Sequence, residues 1–351
     1  MKKLLVIAVA AGLIAPAAAM ADTTLYGKLH ASVGSVKNDN GAGVTSTETG
    51  VESHSSRFGI KGSTALDNGM SATYGLEYGV DLDGDNGGSA IAGGNVGTAA
   101  SNPGLSSRNQ FVGLKGGFGE VRVGKHDTPA KLATAGQDIF ADSYADMANI
   151  ITSDADRVNN AVAYINKFGP VGVAVAHSTG ITAGDIDVAA GVNAGTVSAA
   201  GVAQAGAAVV SKEANTAMVN YSNGPWYAGL GHTAVSKTAK KTNLGLGWKA
   251  EAGHQANLVY EKVDFANTQN DGTNVLLNGA YKMGNVTLKG QVGEAKIKNA
   301  GKEKLTSVAA DYSLGKKTSV YLLHSINKNP TAVLNGQAKN TATAVGLVTE
   351  F

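Results

Sequence analysis

Apolar and polar residues alternate along this chain with a period of two, in one short segment after another. In the segment that opens at Ser55, Phe58 and Ile60 share one face while Arg57, Gly59 and Lys61 share the other. Ala72, Tyr74, Leu76, Tyr78 and Val80 alternate with Ser71, Thr73, Gly75 and Glu77. Leu25, Leu29 and Val33 stand opposite Tyr26, Lys28, His30 and Ser32, and Leu258 and Tyr260 stand opposite Asn257 and Glu261. Val286, Leu288 and Val292 likewise face away from Thr287, Lys289 and Gln291. Such a pattern predicts half-buried strands, and the polar side of each carries charge.

The connections sharpen this reading. Tight turns such as Leu66-Asp67-Asn68-Gly69, Gly116-Gly117-Phe118-Gly119 and Lys282-Met283-Gly284-Asn285 alternate with longer connections rich in Gly, Asn, Thr, Ser and Asp. Seven turns and eight loops join sixteen strands. Charged side chains would be costly in a dry sandwich core, whereas a water-filled lumen removes that cost. The expected fold is therefore all-β: a transmembrane antiparallel barrel of 16 strands, with short periplasmic turns and long extracellular loops. The last strand, residues 340–351, ends on Phe351, whose ring suits headgroup depth at a membrane interface.

Composition adds three constraints. Residues 1–21 read as a secretory signal: Lys2 and Lys3, an apolar stretch, then Ala19-Met20-Ala21 as a cleavage site. Residues 22–351 then form a single barrel domain. Removing two of the 29 basic residues leaves 27 against 27 acidic ones, so the mature chain is neutral and lacks the basic excess of a nucleic-acid surface. With no cysteine, neither disulfides nor a thiolate metal site can form. Mean hydropathy is −0.04, as a wall shared between lipid and water requires.

Several stretches together resemble the Gram-negative general porin family, in particular its β-proteobacterial type. They are Thr24-Leu25-Tyr26-Gly27, Ser56-Arg57-Phe58-Gly59-Ile60-Lys61-Gly62, Phe111-Val112-Gly113-Leu114-Lys115-Gly116-Gly117-Phe118-Gly119 with Val123-Gly124-Lys125, Arg157-Val158-Asn159-Asn160-Ala161-Val162-Ala163-Tyr164, and the terminal Phe351. The resemblance implies an exported, multi-pass barrel of the cell outer membrane, usually a homotrimer. It would sit in outer-membrane lipid and lipopolysaccharide and pass ions and small hydrophilic solutes. It also implies that the third long connection, residues 126–156, folds into the pore.

Alternation and resemblance together place Lys28, Arg57, Lys61 and Arg122 on the basic side of a constriction, with Asp127, Asp138, Asp142 and Asp146 on the acidic loop. Glu77 and Arg157 are further lumen positions. Opposed charges across a narrow eyelet would set up a transverse field that favours polar solutes. Lys125 stands where the family commonly has Arg and lacks the planar fork of a guanidinium, so selectivity stays open.

Other motifs carry less. Residues 81–87 resemble part of a calcium loop, but the twelfth position holds Ala92 instead of Glu. The alternatives there are a weak divalent-ion site and a solvated loop. The histidines show no metal spacing and no G-x-S-x-G is present, so neither a cofactor nor an enzyme is expected. The apolar stretch 179–212 has no assigned structure. The expected function is passive diffusion through an outer-membrane channel. The alternatives are a channel preferring an anion or small organic acid, and a surface adhesin or antigen whose loops carry the role.

Overall fold

The computed structural model describes residues 23–39, 41, 43–84, 105–181, 185–186, 213–266, 271–298, 301–328 and 338–351. The signal segment 1–21, residues 85–87 of the acidic stretch and most of 179–212 lie outside them. The strands are β1 (Thr23–Asp39), β2 (Thr45–Ser53), β3 (Arg57–Ala65), β4 (Ser71–Val80), β5 (Leu105–Gly116), β6 (Gly119–Asp127), β7 (Arg157–Phe168), β8 (Val171–Ser178) and β9 (Ala214–Asn223). They continue with β10 (Trp226–Val235), β11 (Ala239–Lys249), β12 (Gln255–Phe265), β13 (Gly272–Met283), β14 (Val286–Ile297), β15 (Gly301–Ser313), β16 (Thr318–Lys328) and β17 (Lys339–Glu350). All pair antiparallel in one sheet, and β1 closes the ring against β17.

Seventeen segments make sixteen wall strands, because β2 and β3 are the two halves of one. The outer half of β1, from Ala31 to Asp39, pairs with β2, and its first residues, Thr23 to Lys28, pair with β3. Between the halves the chain kinks at Ser55, whose φ is 49°. The lost ladder bonds are replaced by a side chain: Ser56 Oγ accepts from the His30 N–H at 2.9 Å and donates to the His30 carbonyl at 3.0 Å.

The alternation resolves into two surfaces. Val33, Val112, Val162, Val308 and Leu322 point outward and are exposed, while Glu77, Asn257 and Glu261 are buried on the inside. At the tight-turn end Gly224 and Gly284 take φ of 55° and 57°, the left-handed region that glycine enters at no steric cost. The opposite end is less uniform than expected: β10 and β11 are joined by three residues, 236–238. Among the described residues no helix is long and apolar enough to cross a membrane.

Not every inward position is polar. Val259, Leu276, Leu305 and Leu323 face the interior and are almost inaccessible. They form the footprint of the third connection, which fills much of the lumen.

Candidate functional site

That connection runs from Thr128 to Asp156, two residues shorter at its start than the sequence indicated, since β6 continues to Asp127. It begins with a short helix, α1 (Pro129–Thr134), capped by Thr128, whose Oγ1 accepts from the Lys131 N–H at 3.1 Å. The helix lies against β9, β10 and β11. The Ala130 N–H donates to Thr216 Oγ1 at 3.2 Å, and Tyr227 OH donates to the Ala133 carbonyl at 2.9 Å. Gly229 and Gly231 make this approach feasible. A Cβ on Gly229 would lie 2.2 Å from the Ala133 carbonyl oxygen, and one on Gly231 would lie 2.8 Å from the Ala130 Cα.

Past α1 the loop crosses the barrel on an apolar seam. Ile139, Phe140 and Ala145 pack on Ala280, Ala309, Tyr321 and Leu323. Met147, Ile150 and Ile151 pack on Val259, Leu276, Ala295 and Leu305. Polar anchors fix its return. Glu261 accepts the N–H groups of Thr152 and Ser153, each at 2.8 Å, the Thr152 hydroxyl at 3.0 Å and Asn274 Nδ2 at 2.9 Å. Asn243 Nδ2 donates to the Ala130 carbonyl at 2.8 Å and to Ser153 Oγ at 2.9 Å. Lys241 meets Asp156 at 2.6 Å in a pair that water barely reaches.

Of the acidic residues named from sequence, Asp142 alone reaches the basic residues of β1 and β3. Its Oδ2 lies 2.8 Å from Lys28 Nζ and 2.9 Å from Arg57 Nη1. Asp142 adopts φ 58°, a left-handed conformation that Asp tolerates better than most residues. Burial would raise its pKa, but Lys28 and Arg57 outweigh burial and hold the carboxyl well below the usual carboxylate range. The loop tip is also braced by Tyr144, which packs edge-on against His54 with ring centroids 4.9 Å apart. His54 Nε2 in turn hydrogen-bonds Ser32 Oγ at 2.7 Å.

Asp138 and Asp146 turn back into the loop. Asp138 accepts the N–H groups of Phe140 and Met147 at 2.8 and 3.1 Å, and Asp146 accepts those of Asp142 and Ala148 at 2.6 and 2.7 Å. Together with Asp154 they bring carboxylate oxygens within 4.8 Å of one another. Burial, and then repulsion from Asp146, raise the pKa of Asp138 and Asp154 well above the ordinary value; burial, and then repulsion from Asp142, raise that of Asp146. The three carboxyl groups are close enough to share one cation, and their raised pKa values favour the protonated form.

The remaining residues line the wall opposite the loop. Asp127 belongs to β6, where it takes Arg157 Nη2 at 2.8 Å, Lys131 Nζ at 3.4 Å and Asn109 Nδ2 at 2.9 Å. Glu77 pairs with Arg108 at 2.7 Å and accepts from Tyr26 OH at 3.0 Å. Lys61 stands 4.8 Å above the Tyr26 ring. Arg122 forms a two-pronged pair with Glu120, at 2.6 and 3.0 Å, and stacks on Phe111 at 4.2 Å. Across the lumen Lys289 meets Asp311 at 2.5 Å. Sequence reasoning did not single out Arg108, Lys131, Glu120 or the anchors Glu261 and Lys241. A register shift between β4 and β5 hides the face of Arg108, and Lys131 lies on a helix where counting by twos does not apply. The inward Val259 and Leu276, beside Glu261 and Asn274, were the available sign of the anchors.

The arrangement is a wide barrel narrowed by an inward loop to a charged passage along β1 and β3–β7. A family model described as Gram-negative porin matches residues 6–329. The major outer membrane protein P.IB of Neisseria meningitidis serogroup B is 29% identical over 350 residues, covering 91% of each chain. Among solved structures, an anion-selective porin from Comamonas acidovorans aligns with a TM-score of 0.68 and 19% identity, over 94% of this chain and 99% of that one. Salmonella typhi OmpF, in a complex with daunomycin, aligns with a TM-score of 0.66 and 13% identity, over 94% and 97%. The chain belongs to the Gram-negative porin family and forms a water-filled channel across the outer membrane.

Proposed function

We propose that the channel passes ions and small hydrophilic solutes by diffusion, with a preference for anions set at the constriction. The observation that carries this reading is the sharing of carboxylates. Asp142 is divided between Lys28 and Arg57, and Asp127 between Arg157 and Lys131. Lys61 adds a cation held over an aromatic ring. The acids of the inward loop do not restore the balance, because Asp138 and Asp154 have raised pKa values and face one another. A passing solute therefore meets a net positive wall, and a field of that sign concentrates anions.

The basic side in this reading comprises Lys28, Arg57, Lys61 and Arg122, joined by Arg108, Lys131 and Arg157. Asp142 is the acidic residue that meets it, and Asp138 and Asp146 shape the loop that carries Asp142. The expected assembly is a homotrimer in outer-membrane lipid and lipopolysaccharide, as the family resemblance implies, and catalysis forms no part of the reading. Reversal potential in a salt gradient across a planar bilayer tests it. The pair Arg57→Glu and Arg122→Glu should move the potential toward cation preference, and an unchanged potential would remove both residues from the passage. Absence of conductance would favour the adhesin alternative.

A further inference from the structure

Among the described residues other than glycine, Ser55, Asp142, Asn160 and Lys237 have a left-handed backbone, and the first two meet at one guanidinium. The Ser55 carbonyl accepts from Arg57 Nη1 at 3.0 Å, and Asp142 Oδ2 accepts from the same nitrogen at 2.9 Å. Their φ angles are 49° and 58°. A residue with a side chain is strained there, so the conformation persists only where its surroundings impose it. In both places they do. Asp146 Oδ2 accepts the Asp142 N–H at 2.6 Å. The kink at Ser55 is clamped on each side: Ser53 donates its N–H to Asp83 Oδ2 at 2.7 Å, and the Ser56 hydroxyl holds both backbone groups of His30.

An unbroken strand in place of β2 and β3 would pair with β1 through ordinary ladder bonds, its carbonyls lying in the sheet. The break turns one carbonyl out of the ladder toward an inward side chain two residues on. The consequence falls on Arg57, whose guanidinium carries five N–H donors in a fixed plane. Ser55 and Asp142 both hold Nη1, and among the described residues Nη2 and Nε have no protein partner. The fork is thus fixed by one arm, with its opposite edge left to the passage. Held by Asp142 alone, it could close both arms on the carboxylate, as Arg122 does on Glu120. That edge would then be lost to solutes.

We propose that Ser56 is a positioning residue for the constriction. By holding the break between β2 and β3 it aims the Ser55 carbonyl at Arg57 and keeps the free edge of the guanidinium toward the solutes. The proposal rests on the transport reading in which Arg57 borders the passage, and adds the element that sets its orientation. Ser56 is uncharged and fully buried, at 0% exposed, so its influence on a passing ion runs through a neighbour.

Reversal potentials in a KCl gradient, converted to anion-to-cation permeability ratios, test this in the wild type, Ser56→Ala, Arg57→Gln and the double variant. Ser56→Ala should lower the ratio about 2-fold, as expected when one unit charge recedes a few ångströms from an ion path in water. In the Arg57→Gln background the same substitution should change nothing, because two changes acting through one group are not additive. An unchanged ratio in Ser56→Ala, beside a lowered one in Arg57→Gln, would overturn the proposal and leave the transport reading standing. So would an equal fall in both backgrounds, the mark of a general distortion of the pore. An Arg57→Gln channel with the wild-type ratio would overturn both, since no charge would remain to be aimed. Should Ser56→Ala fail to fold, Ser56→Cys, whose thiol is a weak donor and acceptor, should lower the ratio in the same sense. An unchanged ratio there would count equally against the proposal.

Discussion

Lys241 on β11 and Asp156 at the end of the inward loop form an ion pair of 2.6 Å with 2% and 0% of their side chains exposed. A pair this dry gains little over an apolar substitute but is expensive to break on one side. Lys241→Met alone should cost about 3–5 kcal/mol in thermal stability of the folded loop or barrel. Lys241→Met with Asp156→Leu should recover most of that loss. Differential scanning calorimetry in detergent, with both variants in parallel, measures the difference.

Glu261 satisfies four donors, two of them backbone N–H groups of the loop. Glutamine in its place would present an N–H to one of those donors and leave it unpaired, at about 1–3 kcal/mol. Glu261→Gln should therefore fold and yet release the loop intermittently. Single-channel recordings should show brief closures and substates absent from the wild type, with mean selectivity little changed.

Asp142→Asn removes the carboxylate that Lys28 and Arg57 share. Two cations then face the passage with no acid between them. Reversal potential should move further toward anions, and the loop tip should become noisier. A shift toward cations would show that Asp142 does not neutralise these groups.

The pH dependence has two opposite arms. Asp142 has a lowered pKa, so the stabilisation it provides is complete above about pH 4 and persists as pH falls until its depressed folded value is crossed. Asp138 and Asp154 have raised values. Their contribution is complete below about pH 4 and is lost as pH rises through those raised folded values. Anion preference should accordingly fall as pH rises through those raised values, and Asp154→Asn should flatten the change. Reversal potential measured from pH 4 upward follows this directly.

Gly229 leaves room for α1, since a Cβ there would sit 2.2 Å from the Ala133 oxygen. Gly229→Val should displace the helix into the lumen at about 1–3 kcal/mol and lower unit conductance. The same substitution at Gly290, which has no atom within 4 Å of its would-be Cβ, serves as the control.

Much of the wall could be read directly, because Phe58 with Ile60 against Arg57 with Lys61 is a two-residue period and nothing else. The break at Ser55 could not. Its stability depends on Ser56 reaching His30, 26 positions earlier in the chain, and no local pattern announces that contact. Lys28 and Arg57 could be placed because they fall on regular stretches of β1 and β3. Arg108 lies at the register shift between β4 and β5, so counting by twos loses its direction. Asp138 and Asp142 looked equivalent in sequence. What separates them is the backbone: Asp138 finds N–H groups of its own loop, while Asp142 is turned outward at φ 58° toward two cations.

The hydrophobic footprint on β12–β16 makes the aperture eccentric. With Met147, Ile150 and Ile151 seated on Val259, Leu276 and Leu305, the loop belongs mechanically to the far side of the cylinder. The route left for solutes is a crescent bordered by β1 and β3–β7, and the diameter of the cylinder does not set its width. A mutation that widened the barrel would carry the loop with the receding wall. A mutation that loosened the apolar seam would change transport without moving a single strand.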